Sequence, residues 1–488
     1  MSMRSASPVA APRAVLDPVV AGRVVLALAL FAGFVLRAVL GVPDDGIYWP
    51  DEIYQSLEPA HRAVFGYGLV AWEFVEGARH WAFPGLLAGI LFVARALGID
   101  APGGYLPLVR VLFILVATAT ALGVHRLART LGASSVAAAA GASVFALAAP
   151  IVYFGHRAMS ETASALPVVF GLALTLESPG ARRWQLYVGA SLLGLAVLLR
   201  LQNAVFCLGT IGILAGGRRW GDVLRCTLVL AGWAVLFGLV DKLTWGDWFH
   251  SALRYLQFNL VEGKAAKWGV APWEWYARVL WRSMPLVTVL LGAGAVLSAR
   301  RAPGVVATAL VFLAVHTITP HKELRFLLPV MPVVCALTAV GMTALSRRFS
   351  VAERIGPAVL MLAAALSGAR ASSLTFGQLG AYEDFKPGAS AWGDFADVNR
   401  LLLQAGRQPD LCGIKVESVH QAWTGGYTFL HRDVPFYSHQ GPTRASRRFN
   451  YVITTFDGGE MIARGGPHTL VRFAPDCVAD PDYVPRLP

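Results

Sequence analysis

Residues 305–342 read "VVATALVFLAVHTITPHKELRFLLPVMPVVCALTAVGM". Two apolar runs, 305–317 and 326–342, enclose His321, Lys322, Glu323 and Arg325. Charges are costly beside hydrocarbon, so a charged knot between two such runs marks a membrane face. Working outward, the pattern recurs: "VVLALALFAGFVL" (24–36) and "SVAAAAGASVFALAAPIVYF" (135–154) have the length and composition of bilayer-crossing helices. Of 488 residues, 56% are hydrophobic and 15% charged, too apolar for an ordinary soluble enzyme. The predicted class is a polytopic α-helical membrane protein.

A net charge of +12 raises the question of nucleic acid. The Arg residues instead form short clusters between apolar runs, the pattern of cytoplasmic loops in membrane proteins, and nucleic acid is excluded as a partner. The first 23 residues are small and weakly basic. No A-x-A-like cleavage site follows the apolar run after them, so that run is read as a retained span. Cys207, Cys226 and Cys335 fall in apolar runs, where Cys serves as a small hydrophobe. Cys412 and Cys477 lie in the polar tail, paired if that tail faces an oxidising compartment and free thiols otherwise. No Cys/His metal spacing occurs, and no metal site or cofactor is predicted.

Candidate spans lie near 19–41, 105–125, 133–152, 160–178, 185–199, 202–216, 222–240, 279–298, 303–319, 325–345 and 355–371, about eleven transmembrane helices. The stretch 83–98 is left out as an interfacial helix, and 185–217 is split in two with "RLQN" (200–203) as the turn. With the N-terminus inside, the Arg126/Arg129, Arg182/Arg183, Arg218/Arg219, Arg300/Arg301 and Arg347/Arg348 clusters all fall inside, as the positive-inside rule requires. The transmembrane domain then covers 1–370, with outside loops at 42–104 and 241–278. Residues 371–488 form an outside, soluble α/β domain. In it "FADVNRLLLQAG" has helical periodicity, and "CGIKVE", "YVITTF" and "HTLVRF" have strand character.

Chemistry concentrates outside. The loop "GVPDDGIYWPDEIYQSLEPAHRAVFGYGLVAWEF" (41–74) mixes Asp51, Glu52 and Glu73 with Trp49, Tyr54, Gln55 and Trp72. Aromatic faces stack on sugar rings, and a carboxylate accepts the proton of a hydroxyl. The plainer reading of Asp51 and Glu52 is a pair of acids favouring a helix start after Pro50. His321, Lys322 and Arg325 read either as lipid-headgroup contacts or as a clamp for a phosphate, with Glu323 orienting a cation. Arg200, beside Gln202 and Asn203, is an ionisable group at a turn within membrane depth, a functional candidate by default. "GHRAMSET" (155–162), with His156, Arg157 and Glu161, ranks lower. The 241–278 loop, rich in Trp, Arg and Lys, reads as a cover over the site or as an interfacial helix.

Three segments resemble one family. "WPDEIYQSLEPAHRAVFGYGLVAWEF" (49–74) resembles the first luminal loop of the lipid-dependent mannosyltransferases that build GPI anchors and N-glycan precursors. "HKELRF" (321–326) is similar to their second signature, His-Lys-Glu-x-Arg-Phe, with Leu324 in the variable slot. "GGYTFLHRDVPFY" (425–437) is similar to a stretch in bacterial relatives. Trp49 stands where the family often has His, which puts any role for that His in doubt here. The tail also looks larger and more strand-rich than in eukaryotic members, so acceptor choice would differ.

The resemblance implies a GT-C-like fold and an inverting glycosyltransferase using a polyprenyl-phosphate sugar, with mannose as the donor sugar. The acceptor is a hydroxyl on a glycan or glycolipid. Asp51, with Glu52 beside it, carries over as the catalytic acid pair. His321, Lys322 and Arg325 carry over as the donor-phosphate group, and Arg200, a candidate on its own position, is expected to bind the donor phosphate beside them. Trp49, Tyr54, Gln55, Trp72 and Glu73 are expected at the acceptor or sugar. The implied setting is a bacterial inner (plasma) membrane, in contact with membrane lipid, with site and tail on the extracytoplasmic side; the excess of Arg over Lys agrees with a bacterial source. Two rival readings remain: a flippase or transporter of lipid-linked sugars, which would need ionisable groups along the depth of several helices, and a non-catalytic scaffold, which gives no reason for Asp51 and "HKELRF" to share a side.

Overall fold

The apolar runs fold as helices because no water in a bilayer competes for their backbone groups. A computed structural model describes residues 17–178, 182–349, 352–456 and 458–487; the weakly basic segment 1–16 lies outside them. Each of the eleven predicted spans holds a helix. Pro18–Gly41, Pro102–Thr130 and Trp220–Trp245 are long and apolar enough to cross a membrane by length and composition. The apolar stretch left out of the span count is also helical, Ala82–Ala96.

Of the spans whose bounds differ from expectation, two are shaped by proline. The one placed at 133–152 breaks at Ala148 into Ser135–Leu147 and Ala149–Phe154. Pro150 has no N–H to give the Ala146 carbonyl four residues back, and its ring crowds that carbonyl, so the helix cannot run through unbroken. The N–H of Ala149 is satisfied instead by Ser367 Oγ at 3.0 Å. The one placed at 279–298 begins only at Pro285, after the separate amphipathic helix Trp275–Ser283. The "RLQN" turn is present: Arg200 is extended, Leu201–Asn203 forms a 3-10 turn, and Asn203 Nδ2 donates to the Ala196 carbonyl at 2.9 Å. An irregular turn survives where its donors find partners within the protein: Asn203 N–H donates to the Arg200 carbonyl at 3.0 Å, Arg200 Nη1 to Glu161 at 2.8 Å and Gln202 Nε2 to Tyr255 Oη at 2.6 Å.

The small-residue helix Ser135–Leu147 sits at the centre, buried almost all round. Helices pack close where side chains are small. A Cβ on Gly341 would come 2.2 Å from the Gly294 carbonyl oxygen, so the helices carrying these two residues touch backbone to backbone.

After the helix Ala352–Ala369, the tail forms one five-stranded sheet. Its strands are β1 (Ile414–Val416), β2 (Phe436–Tyr437), β3 (Tyr451–Thr454), β4 (Glu460–Gly465) and β5 (His468–Arg472), in the order β2-β1-β3-β5-β4. β1 runs parallel to β2 and β3, while β5 is antiparallel to β3 and β4. The helix Ala396–Gly406 buries Val398, Leu401, Leu402 and Ala405. Cys412 and Cys477 form a disulfide.

The tail shares its hydrophobic core with the first long loop. Ile53, Tyr54, Leu57 and Leu69 belong to the same buried cluster as Leu402, Ile414, Tyr427 and Ile453. Tyr105 donates to the Thr428 carbonyl at 2.5 Å, and Asn399 to the Asp45 carbonyl at 2.7 Å. The chain end returns to the same loop, where Val70 N–H donates to the Pro485 carbonyl at 2.8 Å.

Candidate active site

Pro50 opens a helical turn, Pro50–Glu52, where its fixed φ and missing N–H cost nothing. The chain then runs through a π-helical turn, Ile53–Leu57, into the helix Glu58–Phe65. Such turns are frequent at functional sites. Here the first turn sends two adjacent carboxylates in different directions. Asp51 is about 30% exposed and lines a cleft that is partly open to solvent. Glu52 turns inward, accepting from Tyr48 N–H at 3.0 Å and from Arg157 Nη1 at 2.7 Å.

"HKELRF" comes to the same cleft between the helices Pro303–Ile318 and Met331–Ser346. The Glu323 carboxylate accepts from Arg325 Nε at 2.8 Å and Nη2 at 2.7 Å, a fork that fixes the guanidinium plane. His321 Nε2 lies 3.1 Å from the same carboxylate. Burial works against the Glu323 charge, but Arg325 and then His321 outweigh it and hold the carboxyl at about 2. So oriented, Arg325 donates to Asp51. It also lies 3.6 Å from Glu161, which accepts from Arg200 Nη1 at 2.8 Å. The Phe326 ring sits 5.2 Å from the Arg325 guanidinium carbon and 5.1 Å from that of Arg200, a cation–π contact with each.

The structure thus brings Asp51, Gln55, Arg200 and Arg325 to one cleft. Lys322 is not among its lining residues; its Nζ donates to the carbonyls of Ala271 and Thr319, both at 2.8 Å, and pins the 241–278 loop. Tyr54 is buried and donates to the Gln421 carbonyl at 2.9 Å. Trp72 stacks on Phe258 at 4.5 Å and joins the 42–104 loop to the 241–278 loop. Glu73 lies behind the cleft, accepting from Gln55 Nε2 at 2.5 Å. Burial, with the Asp51 charge adding to it, pushes the Glu73 carboxyl up to about 7. Trp49, half-buried, meets Tyr382 at 4.8 Å and Trp423 at 5.1 Å, an aromatic trio drawn from three distant parts of the chain.

The segment ranked low on sequence is central. Arg157 joins Asp44 at 2.8 Å to Glu52 at 2.7 Å, fully buried, and Glu161 bridges the two cleft arginines. Arg79, His80 and Tyr255 also line the cleft, and sequence reasoning did not name them. The available signal was position: Arg79 and His80 follow the "AWEF" segment (71–74) after four residues. A wider, shallower hollow lined by Arg278, Arg282, Gln378 and Glu383 holds none of the motif residues. Among the described residues no group of three or more His, Cys, Asp or Glu side chains is placed to hold a metal ion.

The sequence profile of the Alg9-like mannosyltransferase family matches residues 29–387, nearly three quarters of the chain and both halves of the cleft. The chain belongs to that family. It is 26% identical over 295 residues to mannosyltransferase APTG1 of Arabidopsis thaliana, covering 58% of this chain and 53% of that protein. It is 29% identical over 315 residues to GPI mannosyltransferase 3 of Yarrowia lipolytica, covering 61% and 58%. The chain therefore spans between half and three fifths of the length of these curated relatives. Among solved structures, ArnT from Cupriavidus metallidurans bound to undecaprenyl phosphate superposes with a TM-score of 0.54 at 16% identity, over 85% of both chains. The Archaeoglobus fulgidus oligosaccharyltransferase does so with 0.53 at 12%, over 86% of this chain and 64% of that one. These likenesses establish a GT-C fold for this member of the Alg9-like family.

Proposed function

We propose that this membrane protein is an inverting mannosyltransferase that moves mannose from a polyprenyl-phosphate donor to a hydroxyl of a glycan or glycolipid. The single observation that carries the reading is the meeting of Asp51 and Arg325, 274 positions apart, in one cleft. The names of the relatives, mannosyltransferases, support the sugar. The undecaprenyl phosphate bound to the ArnT neighbour supports the carrier class.

In the proposed reaction the acceptor oxygen attacks the sugar C1 while Asp51 takes its proton. A new C1–O bond forms on one face as the bond from C1 to the phosphate oxygen breaks on the other, which inverts the anomeric centre. The bonding pair leaves with the polyprenyl phosphate, whose charge rises from one towards two. Cations in place before the reaction stabilise that charge best. Arg325 and Arg200, held by Glu323, Glu161 and Phe326, meet this requirement.

The proposed location is a bacterial plasma membrane, with cleft and tail on the extracytoplasmic side. The disulfide between Cys412 and Cys477 suits an oxidising compartment, and the Arg clusters between spans suit the opposite face.

The test is transfer by the purified full-length protein in lipid. Polyprenyl-phosphate mannose with a β-linked sugar is expected to yield an α-linked product on a mannose-bearing glycolipid. A retained β linkage, or no transfer to any such acceptor, contradicts the proposal.

A further inference from the structure

Cations in the cleft differ in what already holds them. Arg325 is committed to Glu323 and Asp51, and Arg200 to Glu161. Lys322 is committed to backbone carbonyls away from the cleft. Arg79 lines the cleft, is half-buried, and its side chain makes no hydrogen bond or ion pair among the described residues. Its backbone is nonetheless fixed. The Arg79 carbonyl accepts from Trp245 Nε1 at 3.0 Å, and the ring of His80 is tied to the Phe237 carbonyl at 3.2 Å. Both anchors lie in the helix Trp220–Trp245. Glu73 and Glu161 feel the Arg79 charge but hydrogen-bond to Gln55 and Arg200 instead, so the Arg79 guanidinium is open to a further anion.

The surroundings indicate which anion. Across the cleft Gln202 Nε2 donates to Tyr255 Oη at 2.6 Å, leaving the phenol hydrogen free to donate onward. One wall is apolar, formed by Phe83, Pro84, Leu198, Leu199, Leu201 and Phe237. A phosphate carrying a hydrocarbon chain matches a cleft with a cationic end and an apolar wall.

Resting on the transferase reading, we infer that Arg79 is a donor-phosphate contact, acting with Arg200, and that the lipid's first isoprene units lie on the wall of Leu199, Leu201 and Phe237. This shifts the phosphate away from His321 and Lys322 and towards the 241–278 loop, which supplies Tyr255. Arg79 contributes most when the phosphate is most charged, which is after the sugar has left. The released polyprenyl phosphate is therefore the most sensitive probe.

The experiment measures inhibition of the full-length enzyme by undecaprenyl phosphate, and direct binding of that lipid to the enzyme, for wild type, Arg79→Gln and Arg79→Lys. In Arg79→Gln the lipid's inhibition constant and Kd are expected to rise about tenfold or more, the strength of one charge-assisted hydrogen bond. Arg79→Lys recovers part of the loss, and the acceptor KM does not change. Unchanged lipid affinity in Arg79→Gln, or an equal rise in acceptor KM, overturns the inference. Inorganic phosphate at the same concentration is expected to inhibit far more weakly; equal inhibition overturns the lipid wall. Arg79-dependent lipid binding without sugar transfer supports this site and defeats the transferase reading. Normal transfer with Arg79-independent binding does the reverse.

Discussion

Glu73 retains a proton that an exposed glutamate loses. Its folded value of about 7 lies above the roughly 4.3 of an unperturbed glutamate, so the folded protein binds that proton more tightly than the unfolded chain. The stability it contributes is full below about pH 4.3 and is lost as pH rises to about 7. Glu73→Gln is expected to keep the Gln55 side covered and remove this slope. Thermal midpoints between pH 4.5 and 8 in detergent should fall more for wild type than for the variant, and parallel curves contradict the assignment. At this scale the place of Asp51 and Arg325 in the cleft was legible because each sits in a compact signature. Glu52 and Lys322 read equally well as site residues, but the direction of a side chain depends on structure that spacing does not carry. The turn of Pro50–Glu52 sends Glu52 to Arg157, and the approach of Ala271 captures Lys322. Arg79 left no signal beyond its neighbourhood.

Among the elements, the short helix Gly426–Leu430 shows how the tail is joined to the first loop. Its opening N–H groups, those of Tyr427 and Thr428, donate to the buried Glu58 carboxylate at 3.0 and 2.9 Å. The Thr428 hydroxyl adds a bond at 2.6 Å, and Leu69 N–H one at 2.8 Å. Gly426 adopts φ +57°, and a Cβ there would meet that carboxylate at 2.8 Å, so glycine fits both the backbone and the contact. Glu58→Ala leaves these donors buried without an acceptor and is expected to cost about 3 kcal/mol or more. Limited proteolysis should cut the variant's tail at temperatures where wild type resists, and equal resistance contradicts the account. The membrane helices were legible because apolar runs have one solution in a bilayer, and proline moved their ends by several residues. Strands β1, β3 and β5 were legible from β-branched runs. β2, with two residues, and the largely exposed β4 were not, since neither carries an apolar run long enough to read.

On the scale of the whole molecule, sequence places a membrane part before residue 370 and a soluble part after it. The packing runs across that line: the first loop and the tail share a core, so the tail supports the ground on which Asp51 stands. Composition could not reveal this, because a polar tail reads the same whether it hangs free or is seated. The two signatures, by contrast, were expected on one side from the charges flanking the spans, and in the fold they touch. The account stands on Asp51 and Arg325 acting as one unit in sugar transfer. A double-mutant cycle on the single-turnover transfer rate, using Asp51→Asn and Arg325→Gln in folded enzyme, tests this directly. Asp51→Asn alone is expected to slow transfer about 10²–10⁴-fold, and adding Arg325→Gln to cost little more. A near-normal rate in Asp51→Asn, or two losses that simply multiply, contradicts it.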